Sequence, residues 1–317
     1  MIRTIRFSAC LWALFAGNVF AQGFPAKPLT LYCPCPQNTA NEIYAHEFSK
    51  IASKYLGQPL AVQLPPAPNE LGIGKYVASS RPDGHSLFMM HIFVLRLPHL
   101  QREKLPWHPL EDFSYVIGLA GFTFGVAVKA ESKFKTIGEL IEYAKANPGK
   151  LRYGAFPPGS TQHLVMEELG QKTSARFLMV PGSFAENVRA LTNGSILAIS
   201  DSTAWGPYVD AGTFRLLMTF GERRTRWNAP TAKELGFGVV AYSPFGLVAP
   251  KGMDPARTRV LHDAFNRTLD DPAYAELLQK HDMVDWYKSS EDYTDWAVDQ
   301  FKFQKALIER TIGLGRN

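Results

Sequence analysis

Along almost the whole chain, short apolar runs alternate with stretches whose apolar positions recur at helical spacing. Runs at 29–33, 60–64, 86–91, 122–129, 151–155, 177–180, 196–200, 214–220 and 245–249 have strand length, and most are bounded by Pro, Gly or Asp. Between them, Tyr44, Phe48, Ile51 and Tyr55 share one helical face before Gly57. Further helices are predicted at 137–146, 162–169, 184–193, 256–270, 273–280 and 291–311. Helix starts are explicit. Thr39 with Glu42, Thr136 with Glu139 and Ser183 with Glu186 have capping-box spacing, in which the hydroxyl accepts from the third helical amide and the Glu reaches back. Asp254 caps a helix that opens on Pro255, while Asn147-Pro148-Gly149 and Gly194 mark helix ends. Strands alternating with helices predict βαβ units, a largely parallel sheet and an α/β fold. No internal repeat of solenoid period is present.

Composition narrows the class. Of 317 residues, 46% are hydrophobic and 20% charged, enough for a large core without staples, and the length favours about two domains. The formal charge is +5, too mild for the dense basic stripe of a nucleic-acid binder, so no nucleic-acid partner is expected. Arg223-Arg224-Thr225-Arg226 reads as a solvated turn. The N-terminus has the three parts of a secretory signal: Arg3 and Arg6, an apolar stretch at 7–16, and small residues Val19 and Ala21 before a cut after Ala21. No later stretch is long and apolar enough to span a bilayer, and no Cys stands at the cut, so a free periplasmic protein is expected. Cys10 leaves with the signal. A bond between Cys33 and Cys35 would close a very small ring, so two small buried hydrophobes are the expectation there.

Three strand–loop–helix junctions carry candidate chemistry: residues 33–39, 153–163 and 180–183. In open α/β sheets the loops at the carboxyl ends of strands form the ligand crevice. Helices that begin there aim free N–H groups and a positive dipole end at it, which suits a carboxylate or phosphate without any Arg.

From these blocks the sequence resembles a known family. Lys27-Pro28, Pro34-Cys35-Pro36, Arg81-Pro82-Asp83-Gly84, Leu105-Pro106-Trp107-His108-Pro109, Asn147-Pro148-Gly149-Lys150-Leu151, Gly159-Ser160-Thr161-Gln162-His163, Ala229-Pro230-Thr231 and Phe245-Gly246-Leu247-Val248-Ala249-Pro250 follow the order and spacing of the Bug-type extracytoplasmic solute receptors of tripartite tricarboxylate transporters. The resemblance implies a two-domain periplasmic-binding-protein fold of type II, with two crossover strands as hinge near 122–129 and 242–249. Domain one would be 24–121 plus 246–317, and domain two 122–245. It implies a carboxylate-bearing small molecule held by Gln37, Asn38, Thr39 and His91 of domain one and by Gly159, Ser160, Thr161, Ser183, Phe184, Ala185 and Asp201 of domain two. Asp201 resembles the residue that faces the ligand's amine in amino-acid-binding members. The implied partners are the membrane subunits of a tripartite transporter, with the receptor a monomer, without cofactor or metal, and not an enzyme.

The chain departs from the family's Gly-rich first loop, with Gln37-Asn38-Thr39-Ala40-Asn41-Glu42 in its place, so an altered pocket is expected in which Asn38 and Thr39 donate from side chains. Phe93, Phe156, Phe184, Trp205 and Tyr208 fall near the cleft by position, which points toward an aromatic or longer-chain acid. Rival readings are a ligand sensor for a membrane signalling partner, which the sequence does not separate from a transport receptor, a Cys35–His91 thiolate enzyme, and metal capture by Cys33, Cys35, Glu42 and His46. Neither of the last two has an established catalytic or zinc spacing behind it. His163, three residues after Ser160, is expected to support the backbone rather than to activate a serine.

Overall fold

Local chemistry sets the element ends where the sequence places them. Thr136 with Glu139 and Ser183 with Glu186 form complete capping boxes, and Thr39 accepts from the Glu42 amide. Asp254 accepts from the Ala256 amide ahead of Pro255. The αL residue that ends the first helix is Gly57, at φ 67°, where the missing Cβ removes the steric cost. These details come from a computed structural model that describes residues 23–35, 39–64, 69–101 and 103–313. The signal segment 1–21 and the expected ligand residues Gln37 and Asn38 lie outside the described residues.

In chain order the elements are β1 (Leu29–Tyr32), α1 (Ala40–Leu56), β2 (Leu60–Gln63), α2 (Glu70–Ala78), β3 (Ser86–His91), α3 (Ile92–Leu100) and β4 (Phe113–Lys129). There follow α4 (Ile137–Ala146), β5 (Arg152–Ala155), α5 (Thr161–Thr173), β6 (Leu178–Pro181), α6 (Phe184–Thr192) and β7 (Ala198–Ser202). A 3₁₀ turn (Thr203–Trp205), α7 (Gly206–Asp210) and β8 (Phe214–Thr219) lead to β9 (Tyr242–Pro250). The chain closes with α8 (Pro255–Leu269), α9 (Pro272–Lys280), β10 (Val284–Lys288) and α10 (Ser290–Ile312).

The strands form one 10-stranded sheet whose main path runs β2-β1-β3-β9-β4-β7-β5-β6, with β8 and β10 also paired to β4. The flanks are parallel: β1 with β2 and β3, and β5 with β6 and β7. The middle is antiparallel, because β9 runs against β3 and β4, and β4 against β7 and β8. The largely parallel sheet read from the alternation is therefore corrected to a mixed one. Two long strands that carry the chain between the flanks must run in opposite senses, and local periodicity does not report direction.

β4 also begins at Phe113, ahead of the crossing expected from residue 122. Its first part pairs with β9, from Phe113 opposite Pro250 to Thr123 opposite Tyr242. Its last part pairs with β7 and β8. Nearly every residue of β4 is buried, as fits a strand covered on both faces. It thus divides the sheet into a first half, with β1, β2, β3, β9 and β10, and a second half, with β5 to β8. In the first half, Tyr44, Phe48, Phe245, Phe265 and Tyr274 pack ring to ring in the core, and the Tyr44 and Tyr274 hydroxyls meet at 3.1 Å.

Cys33 and Cys35 differ from expectation. They are buried, but they are bonded to each other as a disulfide. Their Cα atoms lie 5.1 Å apart, inside the range that a bridge spans without backbone movement.

Candidate functional site

Helix beginnings converge at the boundary between the two halves. A cavity of about 220 Å³ opens there, walled by the first residues of four helices. Thr39, Ala40 and Asn41 come from α1, Asn69 and Glu70 from α2, Ser160, Thr161 and Gln162 from α5, and Phe184 from α6. β3 ends in His91, β7 supplies Asp201 and Ser202, and β9 supplies Ser243. Phe93, Phe122, Phe124 and Phe156 make the apolar wall. Although the chain has 34 Lys and Arg, none of them lines the cavity among the described residues. Four helix N-termini instead bring N-terminal amides and dipole ends toward it, each equivalent to roughly half a charge, beside the carboxyls of Glu70 and Asp201.

The caps fix the polar groups. Ser160 is the N-cap of α5: its Oγ accepts from the His163 amide at 3.4 Å and donates to the Phe156 carbonyl at 3.4 Å. Both bonds are long, so the hydroxyl is loosely engaged. Asn69 caps α2 by accepting from Gly72 N–H at 2.9 Å, and Asn41 donates to the Pro34 carbonyl at 3.3 Å. His163 accepts from the Gly159 amide through Nδ1 at 3.1 Å, the backbone-supporting role expected of it.

Two buried titratable groups face this space. Desolvation pulls His91 down to about 3, so its ring is neutral, and neither ring nitrogen has a partner among the described residues. It packs against Phe122 and Phe245. Desolvation pushes Asp201 up to about 6, an effect partly offset by the Ser202 backbone and side-chain donors and by the Gln162 side chain. Its Oδ1 takes Ser202 N–H at 2.7 Å and Oγ at 3.3 Å, while Oδ2 has no hydrogen-bond partner among the described residues. Desolvation also raises the half-buried Glu70 carboxyl from its ordinary value.

The expected ligand residues therefore separate. Thr39, His91, Ser160, Thr161, Phe184 and Asp201 line one cavity. Gly159 does not line it; at φ 83° it shapes the loop behind Ser160. Ser183 and Ala185 do not line it either. The Ser183 hydroxyl is consumed by Glu186, to which it donates at 2.7 Å on an exposed helix start. Among the aromatics, Phe93, Phe156 and Phe184 reach the cavity, but Trp205 and Tyr208 do not. Trp205 is fully buried against Trp227 and donates to the Asp201 carbonyl at 3.0 Å, so it positions the strand end. Tyr208 stacks on Phe214. Asn41, Asn69, Glu70, Gln162, Phe122, Phe124 and Ser243 were not singled out from the sequence. For Asn69 the signal was available, since an Asn before Glu70 has N-cap chemistry. For Phe122, Phe124 and Ser243 there was none, because a buried strand does not announce which face meets a cavity.

Comparison with known proteins identifies the family and the fold. The sequence profile of the tripartite tricarboxylate transporter family receptor matches residues 45–314. A Cupriavidus necator protein named "UPF0065 protein in gbd 5'region" is 42% identical over 299 residues, covering 93% of this chain and 90% of that protein. A solved protein described as a periplasmic transporter superposes with TM-score 0.81 at 25% identity, over 90% of this chain and 97% of the other. A second, described as R. palustris Rpa4515 with adipate, has TM-score 0.82 at 22% identity, over 92% of this chain and 99% of the other, and bears on the fold.

Proposed function

Because the chain belongs to the receptor family of tripartite tricarboxylate transporters, we propose that it captures a carboxylate-bearing small molecule in the periplasm and presents it to membrane subunits of such a transporter. The observation that carries this reading is the convergence of the α1, α2, α5 and α6 N-terminal turns on one cavity without a lining Lys or Arg among the described residues. Each helix end contributes about 0.5–1 kcal/mol toward an anion, so several must act together with hydroxyl donors. Thr39, Ser160 and Thr161 supply those hydroxyls, with Gln37 and Asn38 next to Thr39 in the chain.

Capture needs no bond chemistry. Cys33 and Cys35 are joined, so neither offers a thiolate, and His163 is engaged by the Gly159 amide. In this reading the lobes are 24–121 plus 246–317 and 122–245, hinged on β4 and β9, and the receptor acts as a monomer. Closure follows only if the ligand binds the closed form better than the open one. The Phe wall favours an acid with an aromatic or long apolar body, and the volume suits a small metabolite rather than a drug-sized one. Asp201 Oδ2, buried and without a hydrogen-bond partner among the described residues, with the Gln162 side chain beside the carboxyl, favours a ligand that also carries an amine or another donor.

A thermal-shift panel of aromatic, dicarboxylic and amino acids tests the reading, alongside native mass spectrometry of the protein as purified. Acids with apolar bodies are expected to raise the melting midpoint; a panel in which no acid does so overturns it. With any acid that binds, Ser160→Ala is expected to weaken affinity by about 1–2 kcal/mol in calorimetry, the scale of a hydrogen bond to a charged group. Equal affinity would place the anion elsewhere.

A further inference from the structure

A cation does stand behind the amides. Arg96 lies on α3 and is only 3% exposed. Its guanidinium donates to three neutral acceptors: Gln304 Oε1 at 2.7 Å, Thr161 Oγ1 at 2.9 Å and the Gly159 carbonyl at 3.3 Å. No carboxylate among the described residues pairs with it, and burial pulls it down to about 9, so it is still charged at neutral pH. An uncompensated buried charge is costly, and a fold that keeps one has a counter-charge to gain.

The contact pattern says where that counter-charge sits. Arg96 and Gln304 belong to helices of the first half, whereas Gly159 and Thr161 open α5 of the second half. Gly159 lacks the Cβ that would lie 2.5 Å from Leu100, so α3 can press against this loop. Thr161 lines the ligand cavity. A hydroxyl has one proton and two lone pairs; by accepting from Arg96, Thr161 keeps its proton free to donate, and the donation is polarised by the cation. The Gly159 carbonyl, which would repel an anion, is held on Arg96.

We propose that Arg96 is the counter-charge of the ligand's carboxylate, acting through the Thr161 hydroxyl, and that it makes the site select an anion over a neutral isostere. The inference rests on the carboxylate reading above. A carboxylate accepting from Thr161 would stand roughly 5–6 Å from the guanidinium, close enough for a charge effect. Arg96 is a positioning residue and touches no ligand atom. The same bonds cross between the halves, so anion capture and their approach are favoured together.

A second cavity, of about 420 Å³, lies between α3, α5 and α10 and is lined by Arg96, Thr161, Gln300, Gln304 and Arg310. Its one acidic lining residue among those described, Glu168, faces Lys172 at 3.5 Å. An anion there is the rival destination for the charge.

Calorimetry with benzoate against benzamide and adipate against adipamide tests the proposal on the wild type, Arg96→Met, Arg96→Lys, Thr161→Val and the Arg96→Met/Thr161→Val pair. Circular dichroism checks each fold. The wild type is expected to prefer the acid of at least one pair. Arg96→Met should cut that preference about tenfold or more, and Arg96→Lys should restore most of it. Thr161→Val should cut it similarly, and the double variant should be no worse than either single one. Equal loss for acid and amide, no loss, or failure of Lys to rescue overturns the proposal while leaving the carboxylate reading intact. Additive effects overturn it in favour of the second cavity. A wild type that prefers neither acid overturns the carboxylate reading, and this inference with it. Should Arg96→Met not fold, Arg96→Lys and Thr161→Val decide: the proposal stands only if Thr161→Val loses the preference and Lys keeps most of it.

Discussion

Gly246→Ala is expected to destabilise the protein by about 3 kcal/mol, lowering the melting midpoint by roughly 6–10 °C. Gly246 sits opposite Gly118 where β9 crosses β4, beside an irregularity in register. A Cβ there would overlap the Ile117 carbonyl oxygen and would lie 2.5 Å from the Tyr293 ring and 2.9 Å from the Gly118 Cα. Two of these three neighbours are backbone and cannot swing away. The third, the Tyr293 ring, is held by its hydroxyl, which donates to the Met90 carbonyl at 3.2 Å. Relief therefore requires β4 and β9 to separate at the point where they run together. Gly138→Ala is the control: Gly138 is exposed near the start of α4, and its Cβ would meet only Thr136 Oγ1 at 3.7 Å. It should be neutral or stabilising by up to about 1 kcal/mol. Chemical unfolding of the two variants beside the wild type gives the comparison, and similar stabilities would show that the crossing adapts.

The second large effect is a change in pH dependence on Asp201→Asn. Asp201 goes from an ordinary 3.8 when unfolded to about 6 when folded, through desolvation. The folded state then binds the extra proton between those values, so this group's contribution to stability is greatest below 3.8 and is lost as pH rises through 6. Relative to the variant, the wild type should gain up to about 3 kcal/mol as pH falls from 7 to below 4. His91 acts in the opposite sense. Its folded value of about 3 lies below the ordinary 6.5, so its contribution is present above 6.5 and is lost as pH falls toward 3. Between about 4 and 6 the two slopes oppose in the wild type. Asp201→Asn uncovers the His91 slope, about 1.4 kcal/mol per pH unit. Denaturant unfolding of both proteins from pH 7.5 to 4 reads the difference directly. A constant difference would mean that Asp201 ionises in the fold as it does in the open chain.

Much of this site was legible in local sequence, and the reason is chemical. A helix start needs an acceptor for its free amides, so Thr39, Ser160 and Ser183 stand at the three α1, α5 and α6 caps that the junctions predict. Which caps face the cavity depends on distant packing. Ser183 has a capping partner in Glu186 and turns outward, whereas Ser160 has only long bonds and turns in. Helix α3 was hidden because the run from Ser86 to Leu97 is almost continuously apolar and Pro98 sits inside the helix, a residue that argues against one. Arg96 was hidden with it. Helix α2 carries two glycines in its short span, which weakens its periodic signal. The pairing of Cys33 with Cys35 depends on a backbone bend at Pro34 that spacing alone does not give. Family resemblance supplied the two crossing strands that periodicity did not, yet it did not foresee the buried guanidinium of Arg96 behind the cavity.

The path of the chain through β4 and β9 has a consequence for assembly. Everything between those strands is contiguous, so the second half can complete itself from one uninterrupted stretch. The first half cannot. Its earliest strands wait for α8 to cover α1, for β10 to pair with β4 and for α10 to lie on α3. A polypeptide made from its N-terminus leaves that sheet unfinished until nearly its last residue emerges, while the second half is already whole. The final helix is thus the closing piece of the structure begun first, and a premature stop within it would harm the oldest part of the fold rather than the newest.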